Sequence, residues 1–107
     1  MTEKTTETLI FGGCEWGTFK IKAGVTDSEL MLACEKMRSH FLNYQEGFIQ
    51  HVLLKGEDGL WADHVFAKTQ EDARRICDAF SQDANCLDYL ALIDTSTVHL
   101  SFWKRVL

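Results

Sequence analysis

Asp63 stands two residues after Trp61 and beside His64, and His51 lies on the preceding apolar run. A carboxylate, an imidazole and an indole on neighbouring strands can make a proton-transfer site. In a partly apolar setting the aspartate gains affinity for a proton, which suits it to general-base work beside a histidine. His99 and Trp103 repeat the histidine–tryptophan combination near the end of the chain. Asp63 and His99 are therefore the candidate catalytic groups. Trp61, Trp103 and Gln50 are the candidate substrate contacts, with the indoles stacking on a planar, aromatic substrate. His51 and His64 form a runner-up pocket. As a metal site that pair is poor, because two histidines supply half a tetrahedral shell and no cysteine or carboxylate sits at matching spacing. No metal and no cofactor are expected.

Most of these residues ride on residues 47–69, GFIQHVLLKGEDGLWADHVFAKT. Two β-type runs flank Gly56-Glu57-Asp58-Gly59, which reads as a hairpin. A turn centred between Glu57 and Asp58 sets His51 opposite His64 and Val52 opposite Asp63. One face then carries Ile49, His51, Leu53, Ala62, His64 and Phe66. The other carries Phe48, Gln50, Val52, Leu54, Trp61, Asp63, Val65 and Ala67. Burying an aspartate costs several kcal/mol more than burying a neutral histidine. That difference puts the Trp61/Asp63 face on the side of the sheet away from the helices, together with His99 and Trp103. An odd-length turn shifts the register by one and could set His51 opposite Asp63.

The elements around the hairpin follow from capping and periodicity. A first strand lies within residues 9–23, with Phe19, Ile21 and Ala23 alternating against Thr18, Lys20 and Lys22. The glycines before it form no phosphate loop, since they lack both the full glycine spacing and the Lys-Ser/Thr ending. Thr26 with Glu29 makes a capping box, and Leu30, Ala33, Cys34, Met37 and Phe41 follow as one apolar stripe. Thr69 caps a second helix with the stripe Ala73, Ile76, Cys77 and Phe80. Leu87, Leu90, Leu92 and Ile93 suggest one further helical turn. Asp94-Thr95-Ser96 reads as a turn before a last strand, in which Val98, Leu100 and Phe102 oppose His99, Ser101 and Trp103.

The order is β-α-β-β-α-β, the ferredoxin-like split topology of an α+β fold. It gives a four-stranded antiparallel sheet with two helices on one face. The bare face would be a large exposed apolar patch, and a second copy covering it is the simplest remedy. A homodimer is expected.

The 107 residues make one domain, here residues 9–107, after a polar terminus, residues 1–8, that reads as disordered. A net charge of −5 with scattered cations excludes the usual nucleic-acid binder. MTEKTTET has neither a basic leader nor an apolar core, and no run approaches a bilayer span, so no membrane association is expected. Cys14, Cys34, Cys77 and Cys86 show no CxxC or zinc spacing and read as reduced thiols of a cytoplasmic protein.

GVTDSEL, QEGFIQHVLLKGEDGLWADHV, the Thr69-Gln70-Glu71-Asp72-Ala73 helix start and LIDTSTV together resemble the dimeric α+β barrel superfamily. Within it they are most similar to a branch near the antibiotic biosynthesis monooxygenase family, over about residues 16–104. The resemblance implies a homodimer whose sheets close into a barrel, with a ligand pocket between sheet and helices or in the lumen. Haem-degrading members use an asparagine, a tryptophan and a histidine. Here Asn43 and Asn85 are the only asparagines and neither lies on the first strand, so that role does not carry over. Ala67 stands where the third strand of this branch often ends in tryptophan. Two functions follow. One is a cofactor-independent monooxygenase-like enzyme acting on a small aromatic ligand. The other is a non-catalytic dimeric barrel in which Asp63 pairs with Lys20 and the tryptophans fill the dimer core.

Overall fold

The computed structural model describes residues 9–107. The terminus expected to be disordered, residues 1–8, lies outside them. The described residues form four strands and three α-helices, in the order β1 (Gly13–Ile21), α1 (Asp27–His40), β2 (Phe48–Lys55), β3 (Trp61–Ala67), α2 (Gln70–Phe80), α3 (Ala84–Leu90) and β4 (Ile93–Lys104), with a 3-10 turn at Leu42–Tyr44. The sheet order is β2-β3-β1-β4 and every neighbouring pair is antiparallel. This is the expected ferredoxin-like α+β architecture.

Local chemistry sets the helix starts. Thr26 Oγ1 accepts from the Glu29 N–H at 3.1 Å, and Glu29 Oε1 accepts from the Thr26 N–H at 3.1 Å, which closes the capping box. Leu30, Cys34 and Met37 then bury one stripe of α1. Thr69 Oγ1 accepts from the Asp72 N–H at the head of α2, where Ala73 and Ile76 are buried. The segment expected to hold one helical turn is a full short helix. Asp83 caps it by accepting from the Cys86 N–H at 3.0 Å, and it buries Cys86 and Tyr89.

All three helices cover one face of the sheet. Their buried residues share a core with Phe19, Trp61, Val65, Ala67 and Ile93. The layers touch closely at β1, where a Cβ on Gly13 would fall 2.3 Å from the Gln70 nitrogen that begins α2. The expected Asp94-Thr95-Ser96 turn lies within β4. Ser96 N–H and Oγ both donate to Asp94 Oδ1, and the β1–β4 register shifts between Thr18 and Lys20.

The hairpin register differs from expectation. The loop between Lys55 and Trp61 is five residues long and closed by Gly56 N–H to Leu60 O at 2.7 Å, with Asp58 and Gly59 left-handed at φ 57° and 77°. An odd loop moves the pairing by one residue, so His51 faces Val65 and Val52 faces His64. His51 and Leu53 thus join Trp61, Asp63 and Val65 on one side of the pleat, and His64 passes to the other.

The side assignment also inverts. Trp61 is 4% exposed within the core beneath the helices, so the Trp61/Asp63 face is the helix face and not the lumen face. The outer face carries Trp16, Gln50, Val52, Leu54, His64, Phe66, His99 and Trp103. Trp16 stands edge-on to the His64 ring at 4.6 Å, and the His64 and Phe66 rings lie 4.0 Å apart. Among the described residues no element covers this face, and the buried Nε2 of His64 finds no hydrogen-bond partner there.

Candidate active site

The desolvation that disfavoured a buried Asp63 is answered by a hydrogen-bonded chain. His51 Nε2 lies 2.8 Å from Asp63 Oδ1, and the Tyr89 hydroxyl donates to Asp63 Oδ2 at 2.7 Å. Arg38 Nε donates to His51 Nδ1 at 3.1 Å. The chain draws on three elements besides β3: Arg38 from α1, His51 from β2 and Tyr89 from α3. Asp63 does not pair with Lys20, which is exposed on β1.

Donor logic fixes the histidine tautomer. The Arg38 guanidinium can only donate, so Nδ1 accepts and the ring proton sits on Nε2, pointing at Asp63. The 2.8 Å contact is therefore a hydrogen bond that the imidazole donates to the carboxylate. It also answers the metal question raised by Cys34, His51 and Asp63, whose ligand atoms lie within 4.8 Å of one another. With Nδ1 held by Arg38 and Nε2 protonated, His51 has no free lone pair for an ion. Burial, then the charge of Asp63, pushes the Cys34 thiol up to about 12, so without a metal ion beside it the thiol keeps its proton.

Beside this chain, between sheet and helices, lies a cavity of about 120 Å³. Phe19, Met37, Ile76 and Phe80 give it an apolar wall, while Glu15, Asp63, Cys77 and Tyr89 contribute its polar groups. Leu100, 53% exposed on the edge strand β4, stands at its rim. Glu15 pairs with Val65 and Gly17 with Asp63, so the two carboxyl groups sit diagonally on one face of the sheet. Burial raises the Glu15 pKa; the neighbouring Cys77 thiol lowers it, Asp63 raises it further and His51 lowers it. A carboxyl kept reluctant to ionise in an apolar pocket is a candidate general base or acid. Tyr89 is pushed far up, first by burial and then by the Asp63 charge, so its hydroxyl keeps its proton and remains a donor.

Of the expected site residues, the structure brings Asp63 and His51 together and separates the rest. His99 pairs with Thr18 on the outer face, across the sheet from Asp63. Trp103, 60% exposed, donates from Nε1 to Ser101 Oγ at 2.9 Å on that outer face. Gln50 is exposed there too. Trp61 is buried with Lys55 Nζ 5.8 Å above its ring and does not line the cavity. His51 and His64 point to opposite faces and share no pocket.

Sequence reasoning missed Glu15, Arg38 and Tyr89. Glu15 carried a signal, since it alternates with Gly17, Phe19 and Ile21 and so shares the core-facing side. Arg38 lies four residues after Cys34 on the edge of the buried stripe. Tyr89 lies in a helix too short to show a period.

Comparison with known proteins places the fold. No family model matches the chain, and no curated protein matches it. The solved structures similar to it include antibiotic biosynthesis monooxygenase-like proteins of the dimeric α+β barrel kind. SnoaB, a cofactor-independent oxygenase from Streptomyces nogalater, aligns with a TM-score of 0.70 at 15% identity, covering 91% of this chain and 95% of that one. A monooxygenase from the gene ActVA-Orf6 of Streptomyces coelicolor, solved with the ligand nanaomycin D, aligns at 0.63 and 12% identity, covering 90% and 88%. A dimeric ferredoxin-like protein from an uncultured marine organism aligns at 0.59 and 11% identity, covering 91% and 90%. At these identities the likeness is one of fold.

Proposed function

We propose that this chain is a small-molecule-binding dimeric α+β barrel protein whose helix–sheet cavity is an acid–base site of the cofactor-independent monooxygenase type. The supporting observation is Glu15: a carboxyl of raised pKa facing an apolar cavity, beside an aspartate already held by two protein donors. In this reading Glu15 takes the proton of a phenolic substrate. Asp63 accepts from His51 and Tyr89 on its two oxygens, so it positions the Tyr89 hydroxyl and contributes negative charge; it is a positioning residue. The phenolate delivers electrons to dioxygen. For the parent phenol, ring and dioxygen end as quinone and water, with one oxygen atom in each. Candidate partners are the small aromatic ligand and a second copy of the chain.

The homodimer rests on the outer face. Val52, Leu54, Phe66 and Trp103 form an apolar surface with a buried, unpartnered imidazole nitrogen among them, and a second copy would cover it. His99, Trp103 and Gln50 then belong to the interface or the lumen rather than to the Glu15 site.

The small volume of the cavity favours a second reading, a non-catalytic ligand-binding or assembly module. Oxygen uptake with simple phenols separates the two. The enzyme reading expects uptake that falls at least tenfold in Glu15→Gln. Phenol binding without any uptake would leave the binding module, and uptake unchanged in Glu15→Gln would remove Glu15 from the mechanism.

A further inference from the structure

We propose that the helix–sheet cavity selects single-ring ligands that carry a hydrogen-bond donor and no negative charge, with Glu15 and Asp63 reading the donor and the charge, the cavity volume limiting the size and Gly17 keeping room for the ring. The proposal rests on the cavity being the ligand site, as argued above.

Size comes first. The cavity holds about 120 Å³, and an apolar protein cavity of roughly 150 Å³ accommodates benzene. That is the scale of one ring, and a fused pair would have to displace the Leu100 rim. At Gly17 a Cβ would stand 3.0 Å from Leu100 Cδ2 and 3.7 Å from the Asp63 carbonyl oxygen, so the missing side chain keeps open the space beside the Leu100 rim. Alanine there would press the rim outward or fill the space.

Charge comes second. The lining includes two carboxyl groups and neither lysine nor arginine. Arg38 is spent on His51 Nδ1 and does not reach the cavity wall. An anionic ring entering here would lose its hydration and meet two carboxyls with no cation to answer it. A phenol, an aniline or a benzylammonium ion instead brings an N–H or O–H that Glu15 accepts. Asp63 already receives His51 on one oxygen and Tyr89 on the other, which leaves Glu15 the lining carboxyl with more acceptor capacity for a ligand.

Calorimetric titration of the 107-residue chain at pH 7 with phenol, aniline, benzylamine, toluene, benzoate and 1-naphthol tests this. Phenol, aniline and benzylamine are expected to bind about tenfold more tightly than toluene, the difference one met hydrogen bond makes. Benzoate and 1-naphthol are expected not to bind. Glu15→Gln should reduce benzylamine binding at least tenfold, and Gly17→Ala should weaken every ligand that binds the wild type. Benzoate binding as tightly as phenol would overturn the charge selection, and 1-naphthol binding as tightly as phenol would overturn the size limit, while both leave the cavity as the ligand site. Single-ring ligands that bind with affinities unchanged in both variants would overturn the cavity itself. Because the wild-type panel alone decides selectivity, misfolding of a variant does not remove the test.

Discussion

Removing the Asp63 carboxylate should cost more stability than any exposed substitution in the chain, and the cost can be worked out from its bonds. The Asp63 side chain is 13% exposed and the His51 side chain wholly buried. Asp63→Ala leaves the His51 Nε2–H and the Tyr89 O–H without an acceptor. Each unmet buried donor costs about 1–3 kcal/mol, so the sum is about 4 kcal/mol. Asp63→Asn is milder. Its carbonyl still accepts from His51, and its amide donates to the Tyr89 oxygen, which a rotated hydroxyl permits. What it loses is the charge assistance on two bonds, about 2 kcal/mol in total. Urea unfolding at fixed protomer concentration measures both, since self-association would otherwise move the midpoint. At about 4–8 °C per kcal/mol for a domain of this size, Asp63→Ala should lower Tm by at least about 15 °C. Asp63→Ala within about 0.5 kcal/mol of wild type, or Asp63→Asn as damaging as Asp63→Ala, would refute the chain of donors as drawn.

Three further outcomes follow from the same geometry. Because burial raises the Glu15 pKa in the folded state, the folded form holds its proton more tightly; the associated stability is present below the unfolded carboxyl pKa and is lost as pH rises through the folded one. Glu15→Gln should therefore be more stable than wild type at pH 8 and equal to it near pH 3 by urea unfolding, and a variant less stable than wild type at pH 8 would contradict this. Leu54→Glu with Trp103→Glu places two charges on exposed outer-face positions, 46% and 60% exposed, and should turn a sedimenting dimer into a monomer with an unchanged far-UV spectrum; a wild type already monomeric at micromolar concentration would sink the dimer. Cobalt(II) added in excess should give no thiolate-to-metal absorption band, because His51 offers no lone pair and Cys34 stays protonated; a band lost in Cys34→Ser would show the tautomer to be wrong.

The fold was readable because its signals are local. Thr26 with Glu29, Thr69 before α2 and the alternation of Phe19 and Ile21 each act within a few residues, and the structure keeps all of them. The site was less readable because it depends on parity and on distant partners. The hairpin sequence Gly56-Glu57-Asp58-Gly59 fits either a turn centred between its middle residues or the five-residue loop that forms, and one residue of difference takes His51 and His64 from a shared face to opposite faces. The side taken by Asp63 was misjudged because its burial was weighed without the donors. His51 comes from the neighbouring strand, but Tyr89 lies 26 residues away in a helix of seven. No period or spacing announces that contact. Glu15 is the exception, since extending the alternation of Phe19 and Ile21 back two pleats would have placed it under the helices.

What carries the proposed chemistry is Glu15, a carboxyl of raised pKa that accepts from a small aromatic ligand in the helix–sheet cavity. Carbon-13 detected NMR of the Glu15 side-chain carboxyl, titrated with pH in the free protein and again with saturating phenol, tests it directly. The prediction is a midpoint above the ordinary glutamate value of about 4.3 in the free protein, and a carboxyl resonance that moves when phenol is added. An ordinary midpoint together with a resonance indifferent to phenol would contradict it.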